Sequence, residues 1–158
     1  MRDNSSPSEK VLEKQSGLIR QLAYCSEKTL EFTPGSLKDI FDSSKINNAA
    51  QSVTGFLLFD GSRFTQVLEG PAEGIIGIYL KKICADKRHS NLRVIHDCFV
   101  RRRTFNDWSL AYKYQDGELS NFGGSVNLDR CRILVKALSS RPSKADKMFS
   151  KCLEKVCF

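Results

Sequence analysis

In RFTQVLEG, residues 63–70, strand alternation puts Phe64, Gln66 and Leu68 on one face and Thr65, Val67 and Glu69 on the other. A carboxamide aligned with two large apolar side chains needs partners, because a buried polar group left unpaired costs on the order of 1–3 kcal/mol. The stretch LAYCS, residues 22–26, offers one: if its strand lies beside the 63–70 strand, the Tyr24 hydroxyl can reach Gln66. Asn47 and Asn48, at the end of an intervening helix, add two amides, and Trp108 lies on a late strand. Taken singly, each has an ordinary explanation: a strand-edge glutamine, a helix C-cap, a packing tryptophan. Converging between helices and a sheet, they suit a ligand with several hydrogen-bonding edges. One end of a carboxamide donates and the other accepts. A half-turn, or conversion to the imidic acid tautomer, therefore reverses the pattern Gln66 shows to its neighbours.

The elements that must position these residues follow from periodicity. LIRQLAYCS (18–26) is apolar in both rows, as expected of a strand covered on both faces. Thr33 and Pro34 open a helix carrying Leu37, Ile40, Phe41 and Ser44 at helical spacing and ending near Asn47 and Asn48. VTGFLLFD (53–60), a turn at Gly61 and Ser62, and RFTQVLEG form a hairpin. Pro71 starts a second helix running to about Ala85 on Ile75, Ile78, Tyr79 and Ile83, with Gly74 and Gly77 each weakening it by roughly 1 kcal/mol relative to Ala. NLRVIHDCFV (91–100) and the segment 105–114 are two more strands, joined through RRRTFND. The order βαββαββ predicts a ferredoxin-like α+β layer with both helices on one face. RCRILVKAL and ADKMFSKCLEKV, amphipathic at helical spacing, are expected as C-terminal helices capping the other face or meeting a second subunit. The chain thus divides into a mobile arm (1–16), one ligand-binding domain (17–115) and a helical cap (116–158).

Composition narrows the partners. With 158 residues, 41% hydrophobic and 27% charged, one soluble domain is expected. The arm lacks the apolar core of a secretory signal and no run approaches a membrane span, so a cytoplasmic protein without membrane contact is expected. The six cysteines show no CxxC spacing and are expected as reduced thiols; with two histidines, neither at zinc-finger spacing, no metal site is expected. The net charge of +7 raises a basic, ferredoxin-like nucleic-acid-binding module as the alternative function. Its basic residues are spread at helical intervals and no aromatic RNA-binding strand signature is present, so nucleic acid is disfavoured. A hydrolase on this layer is disfavoured too, because no nucleophile and base stand at suitable spacing.

From about Leu18 to Tyr112 the chain closely resembles BLUF domains, blue-light sensors that use flavin. The matching pieces are LAYCS with Tyr24, INNAAQSVTGFLLFDGSRFTQVLEGP with Asn47, Asn48 and Gln66, DKRH with Asp86, Arg88 and His89, and FNDWSLAY with Trp108. The resemblance implies a non-covalently bound FAD with its ring between the two helices. Tyr24 and Gln66 match the photoactive pair, joined by Trp108. Asn48 matches the asparagine on the flavin's carbonyl edge, with Asn47 beside it. Ile40 and Ile83 fall where aliphatic side chains sandwich the ring, and Asp86, Arg88 and His89, assisted by Lys82, match the group near the ribityl and phosphate portion. In the family, light moves an electron and a proton from the tyrosine through the glutamine, and the hydrogen bonds settle rearranged. Many relatives carry Met two residues beyond the tryptophan; this chain has Leu110, which lacks the thioether and is expected to alter signalling or dark recovery. The implied protein is a short photoreceptor, not an enzyme, with no catalytic residues. After Tyr114 room is expected only for the capping helices, so output passes to a downstream effector protein, through altered binding or self-association of a homo-oligomer.

Overall fold

The computed structural model describes residues 17–113 and 119–122. The chain runs β1 (Ile19–Lys28), α1 (Ser36–Ala50), β2 (Thr54–Phe59), β3 (Arg63–Gly70), α2 (Ala72–Ile78), a π-helical turn (Tyr79–Ile83), β4 (His89–Val100), β5 (Trp108–Lys113) and β6 (Leu119–Phe122). The sheet order is β4-β1-β3-β2-β5-β6; every neighbouring pair is antiparallel except β2 and β5. The first four strands and two helices form the expected ferredoxin-like α+β layer. β6 adds a sixth strand at the start of the segment expected to be purely helical; the two C-terminal helices themselves and the 1–16 arm lie outside the described residues.

Alternation decides which side chains meet the helices. Leu22 and Tyr24 of β1, Phe64 and Leu68 of β3, Leu57 and Phe59 of β2, and Trp108 and Leu110 of β5 pack with Leu37 and Phe41 of α1 and Ile75 and Ile78 of α2 in one core. The opposite rows bury Ala23, Phe56 and Val67 at 0% exposure, against Leu58, Ile95 and Phe105. Near the far end of this layer, Arg20 and Asp97, both buried, are joined by two hydrogen bonds of 2.8 and 2.6 Å.

Two glycines are required by close approach. Gly55 has φ +145°, and a Cβ there would sit 1.9 Å from the Val67 carbonyl oxygen. At Gly74 a Cβ would stand 2.9 Å from the Gln51 carbonyl oxygen, so the lost helix propensity buys contact between α2 and the end of α1. Nothing in the structure explains Gly77. The second helix also departs from regularity: α2 gives way at Tyr79 to the π-turn, whose wider hydrogen bond closes from Cys84 N–H to the Tyr79 carbonyl at 2.9 Å. Cys25 and Cys98 keep their thiols, whereas Cys84 is disulfide-bonded, against the expectation of reduced cysteines throughout; spacing within a chain says nothing of which cysteines folding brings together. No helix among the described residues is long and apolar enough to cross a membrane.

Candidate functional site

β1 and β3 pair with Tyr24 directly opposite Gln66, and both side chains project toward the helices. The Tyr24 hydroxyl donates to Gln66 Oε1. Both residues are buried, at 3% and 4% exposure, so this bond sits in a medium of low polarity. Burial raises the Tyr24 phenol well above its ordinary range, and Tyr79, Asp86 and Cys25 add to the rise. Tyr24 is therefore a neutral donor at any physiological pH. A bulge on β4 lies alongside: the register passes from Ala23↔His96 to Tyr24↔Val94, leaving Ile95 extra. Such bulges re-aim neighbouring side chains and accompany sites.

Gln66 opens onto a cavity of about 300 Å³ between the sheet, α1 and the π-turn. α1 contributes Ile40, Ser43, Ser44, Asn47 and Asn48, residues three and four apart and hence on one helical stripe. The second helix and its π-turn contribute Ile78, Lys82 and Ile83; the loop that follows supplies Asp86 and Arg88, and the start of β4 supplies His89. All ten residues assigned to cofactor binding from the sequence line this one space. Ser43, Ser44, Leu57, Phe64 and Ile78 also line it and were not singled out; the two serines share the stripe of Ile40 and Asn47, the one signal that pointed to them.

At the cavity's polar end, Arg88 grips Asp86 through Nε at 2.9 Å and Nη2 at 2.5 Å, and the Arg88 backbone N–H adds a third bond at 2.9 Å. Burial opposes charge on Asp86, but these bonds outweigh it and hold the carboxyl below its ordinary range. His89 bonds Ser26 Oγ through Nδ1 and the Ile83 carbonyl through Nε2, each at 2.8 Å. The carbonyl can only accept, so Nε2 carries the proton and Nδ1 accepts from Ser26. Burial lowers the His89 pKa, with Arg88 acting in the same direction, and the ring is neutral near pH 7.

Asn48 supplies a test of what the cavity holds. It is 2% exposed and lines the cavity, yet its Nδ2 has no hydrogen-bond partner. A buried amide donor left unpaired calls for an acceptor from a ligand. Aliphatic walls at Ile40 and Ile83, an unsatisfied donor at Asn48 and cationic groups at Lys82 and Arg88 fit a flat, carbonyl-edged ring system carrying phosphate.

Trp108 and Leu110 do not line this space. β2 stands between β3 and β5, so Leu57, paired with both Gln66 and Leu110, fills the gap. Trp108 pairs instead with Gly55 and lines a second cavity, of about 470 Å³, with Phe41, Lys45 and Arg103; its buried Nε1 has no partner. That placement depends on a parallel register between β2 and β5, which no local pattern encodes. Also unforeseen is the opposite face of β3. Glu69, 0% exposed, accepts from Gln21 Nε2 at 2.5 Å and from the backbone N–H groups of Thr104 and Phe105 at 2.7 and 2.9 Å. Arg103 donates to the Glu69 and Ser52 carbonyls and to Thr54 Oγ1. The basic turn before β5 is thereby tied to the end of β3.

A ferredoxin-like layer with an apolar-walled cleft against its helices, carrying an unpaired buried amide donor and two cationic groups, defines an α+β fold with a site for a polar-edged ligand. Residues 19–111 match the family described as BLUF, sensors of blue-light using FAD. The chain is 33% identical over 94 residues to the photoactivated adenylate cyclase subunit beta of Euglena gracilis, a stretch covering 59% of this chain and 11% of that subunit. It is 43% identical over 56 residues, 35% of this chain and 14% of the relative, to the blue light- and temperature-regulated antirepressor BluF of Escherichia coli. The dark-state structure of BlrB, a BLUF protein, superposes with a TM-score of 0.56 at 28% identity, covering 61% of this chain and 72% of that one. The chain belongs to the BLUF family of blue-light sensors, whose cofactor is FAD.

Proposed function

We propose that this chain is a blue-light photoreceptor whose switched element is the hydrogen bond between Tyr24 and Gln66. The observation that carries the proposal is that bond itself, desolvated and at the wall of a cavity with the donors and apolar walls of a flavin site. When bound, FAD supplies absorption of blue light and an excited ring able to accept an electron. Ile40 and Ile83 would hold the ring by its faces, Asn48 Nδ2 by a carbonyl, and Lys82 and Arg88 the phosphate end. Asn47, Asp86 and His89 would complete the wall.

The protein's part is proton placement. Tyr24, kept neutral by burial, holds its proton on the hydroxyl, aimed at Gln66 Oε1. Losing an electron makes that phenol strongly acidic, so its proton passes along the existing bond to Gln66. When the electron returns to Tyr24, Gln66 gives the proton back with it; the neutral phenol is restored and the carboxamide is left with its donor and acceptor ends exchanged, by rotation or by tautomerisation. No covalent bond to the cofactor forms, and in the dark the exchange reverses. The rearranged site alters the protein surface, and output runs to an effector protein or to a second copy of the chain in the cytoplasm, without turnover by this chain. The names of the relatives, a cyclase subunit and an antirepressor, support a sensor coupled to different effectors.

The test is an absorption spectrum of purified protein before and after blue illumination. A flavin spectrum that shifts to longer wavelength and recovers in darkness is expected, and Gln66→Leu should keep the flavin but lose the shift. A full shift in Gln66→Leu refutes the mechanism.

A further inference from the structure

Tyr24 is bonded to Gln66 at its hydroxyl, but its ring must also be held. The aromatic neighbour that packs closest is Tyr79: the two rings stand edge to face, with centroids 5.6 Å apart and planes at 70°. His89 lies farther, at 6.3 Å and 47°. Tyr79 is 0% exposed and is the largest fully buried side chain among the described residues. It is also where the helix changes register. From Tyr79 the chain follows the π-turn, so Tyr79 points into the core against Tyr24 while Lys82 and Ile83 reach the cavity wall. Single π-turns inside α-helices are costly and concentrate at functional sites. Here the turn lets one helix serve two purposes, gripping the tyrosine ring and lining the cleft.

Resting on the site reading above, we propose that Tyr79 is a positioning residue for the light response: its ring fixes the rotamer of Tyr24 and thereby sets how fast the switched hydrogen bond reverts. Reversion requires the Tyr24 hydroxyl and the Gln66 carboxamide to exchange partners. A ring clamped edge to face restricts the tilting of Tyr24 through which that exchange proceeds, and freeing the ring lowers the barrier. An edge-to-face pair with the strength usual for buried aromatics corresponds to about a two- to tenfold change in rate.

The experiment follows dark recovery of the light-induced long-wavelength shift in the flavin-loaded full chain, for wild type, Tyr79→Phe and Tyr79→Leu, with Gln66→Leu in parallel. Tyr79→Phe keeps the ring and should recover within about twofold of wild type, whereas Tyr79→Leu should recover about two- to tenfold faster with the dark absorption maximum and flavin content unchanged. Because Leu leaves space in the core, pentafluorophenylalanine at position 79 serves as a second probe: it preserves volume, reverses the ring's quadrupole and should also accelerate recovery. Equal recovery in wild type, Tyr79→Leu and the fluorinated protein overturns the proposal. So does acceleration by Tyr79→Phe as large as that by Tyr79→Leu, which assigns the effect to the hydroxyl. A wild-type protein without any light-induced shift, or a Gln66→Leu protein with a full one, overturns the site reading instead.

Discussion

Asn48→Leu separates what Asn48 does for the fold from what it does for the cofactor. In the protein without ligand, Nδ2 is buried without a partner, an arrangement that costs on the order of 1–3 kcal/mol. Leucine has the branched shape and side-chain heavy-atom count of asparagine with bulkier methyl groups, so the substitution removes the unpaired donor without opening a cavity. Allowing about 1 kcal/mol for imperfect shape, the apoprotein gains about 1 kcal/mol, a rise of about 4 °C in melting temperature for a domain of this size. With FAD bound the sign reverses. On the proposed assignment the donor that would meet the ring carbonyl is gone and the carbonyl would be left buried and unpaired, so affinity is expected to fall by about 5- to 150-fold. Thermal melts of the apoprotein and titration by quenching of flavin fluorescence measure the two halves independently. An Asn48→Leu protein that binds FAD as tightly as wild type refutes the assignment of Asn48 to the cofactor, whatever happens to the melting temperature.

Two further outcomes are expected. Glu69→Ala leaves the Gln21 amide and two backbone N–H groups without their acceptor, costing about 3 kcal/mol, and should speed hydrogen exchange at Thr104 and Phe105; protection at those amides equal to wild type counts against the tie. His89 is held neutral with its pKa below the usual 6.5, so its contribution to stability is complete above pH 6.5 and is lost as pH falls toward the lowered value, where the folded protein must take up a proton the unfolded chain accepts more readily. Melting temperature against pH, compared with His89→Gln, should show the two proteins diverging above pH 6.5 and converging below it; a constant gap contradicts the account.

Alternation and helical spacing were enough to read the first four strands, the two helices and the facing of Tyr24 and Gln66, because each of those signals is carried by residues close in sequence. Of the cavity, the convergence of Tyr24, Gln66, Asn47 and Asn48 was legible from the residues, whereas Ile40, Lys82, Ile83, Asp86, Arg88 and His89 were reached only through the resemblance to the family. What escaped depends on distance or brevity. The four residues of β6 are too few for a period to register. The π-turn shifts the helical phase over only five residues, which a 3.6-residue pattern absorbs. The position of Trp108 is fixed by the pairing of β5 with β2, some fifty residues away, and Glu69 reads as a solvated strand residue until the turn at 103–105 is folded over it.

Gln66 and Glu69 are separated by an odd number of positions on one strand, so the carboxamide proposed to switch and the carboxylate that fastens the β5 turn look out from opposite sides. The proposed switch and the fastening of the β5 turn therefore occupy separate surfaces of the sheet, and substitutions on one need not touch the other. A single-residue insertion between them would end that independence, turning both toward the same side at one stroke.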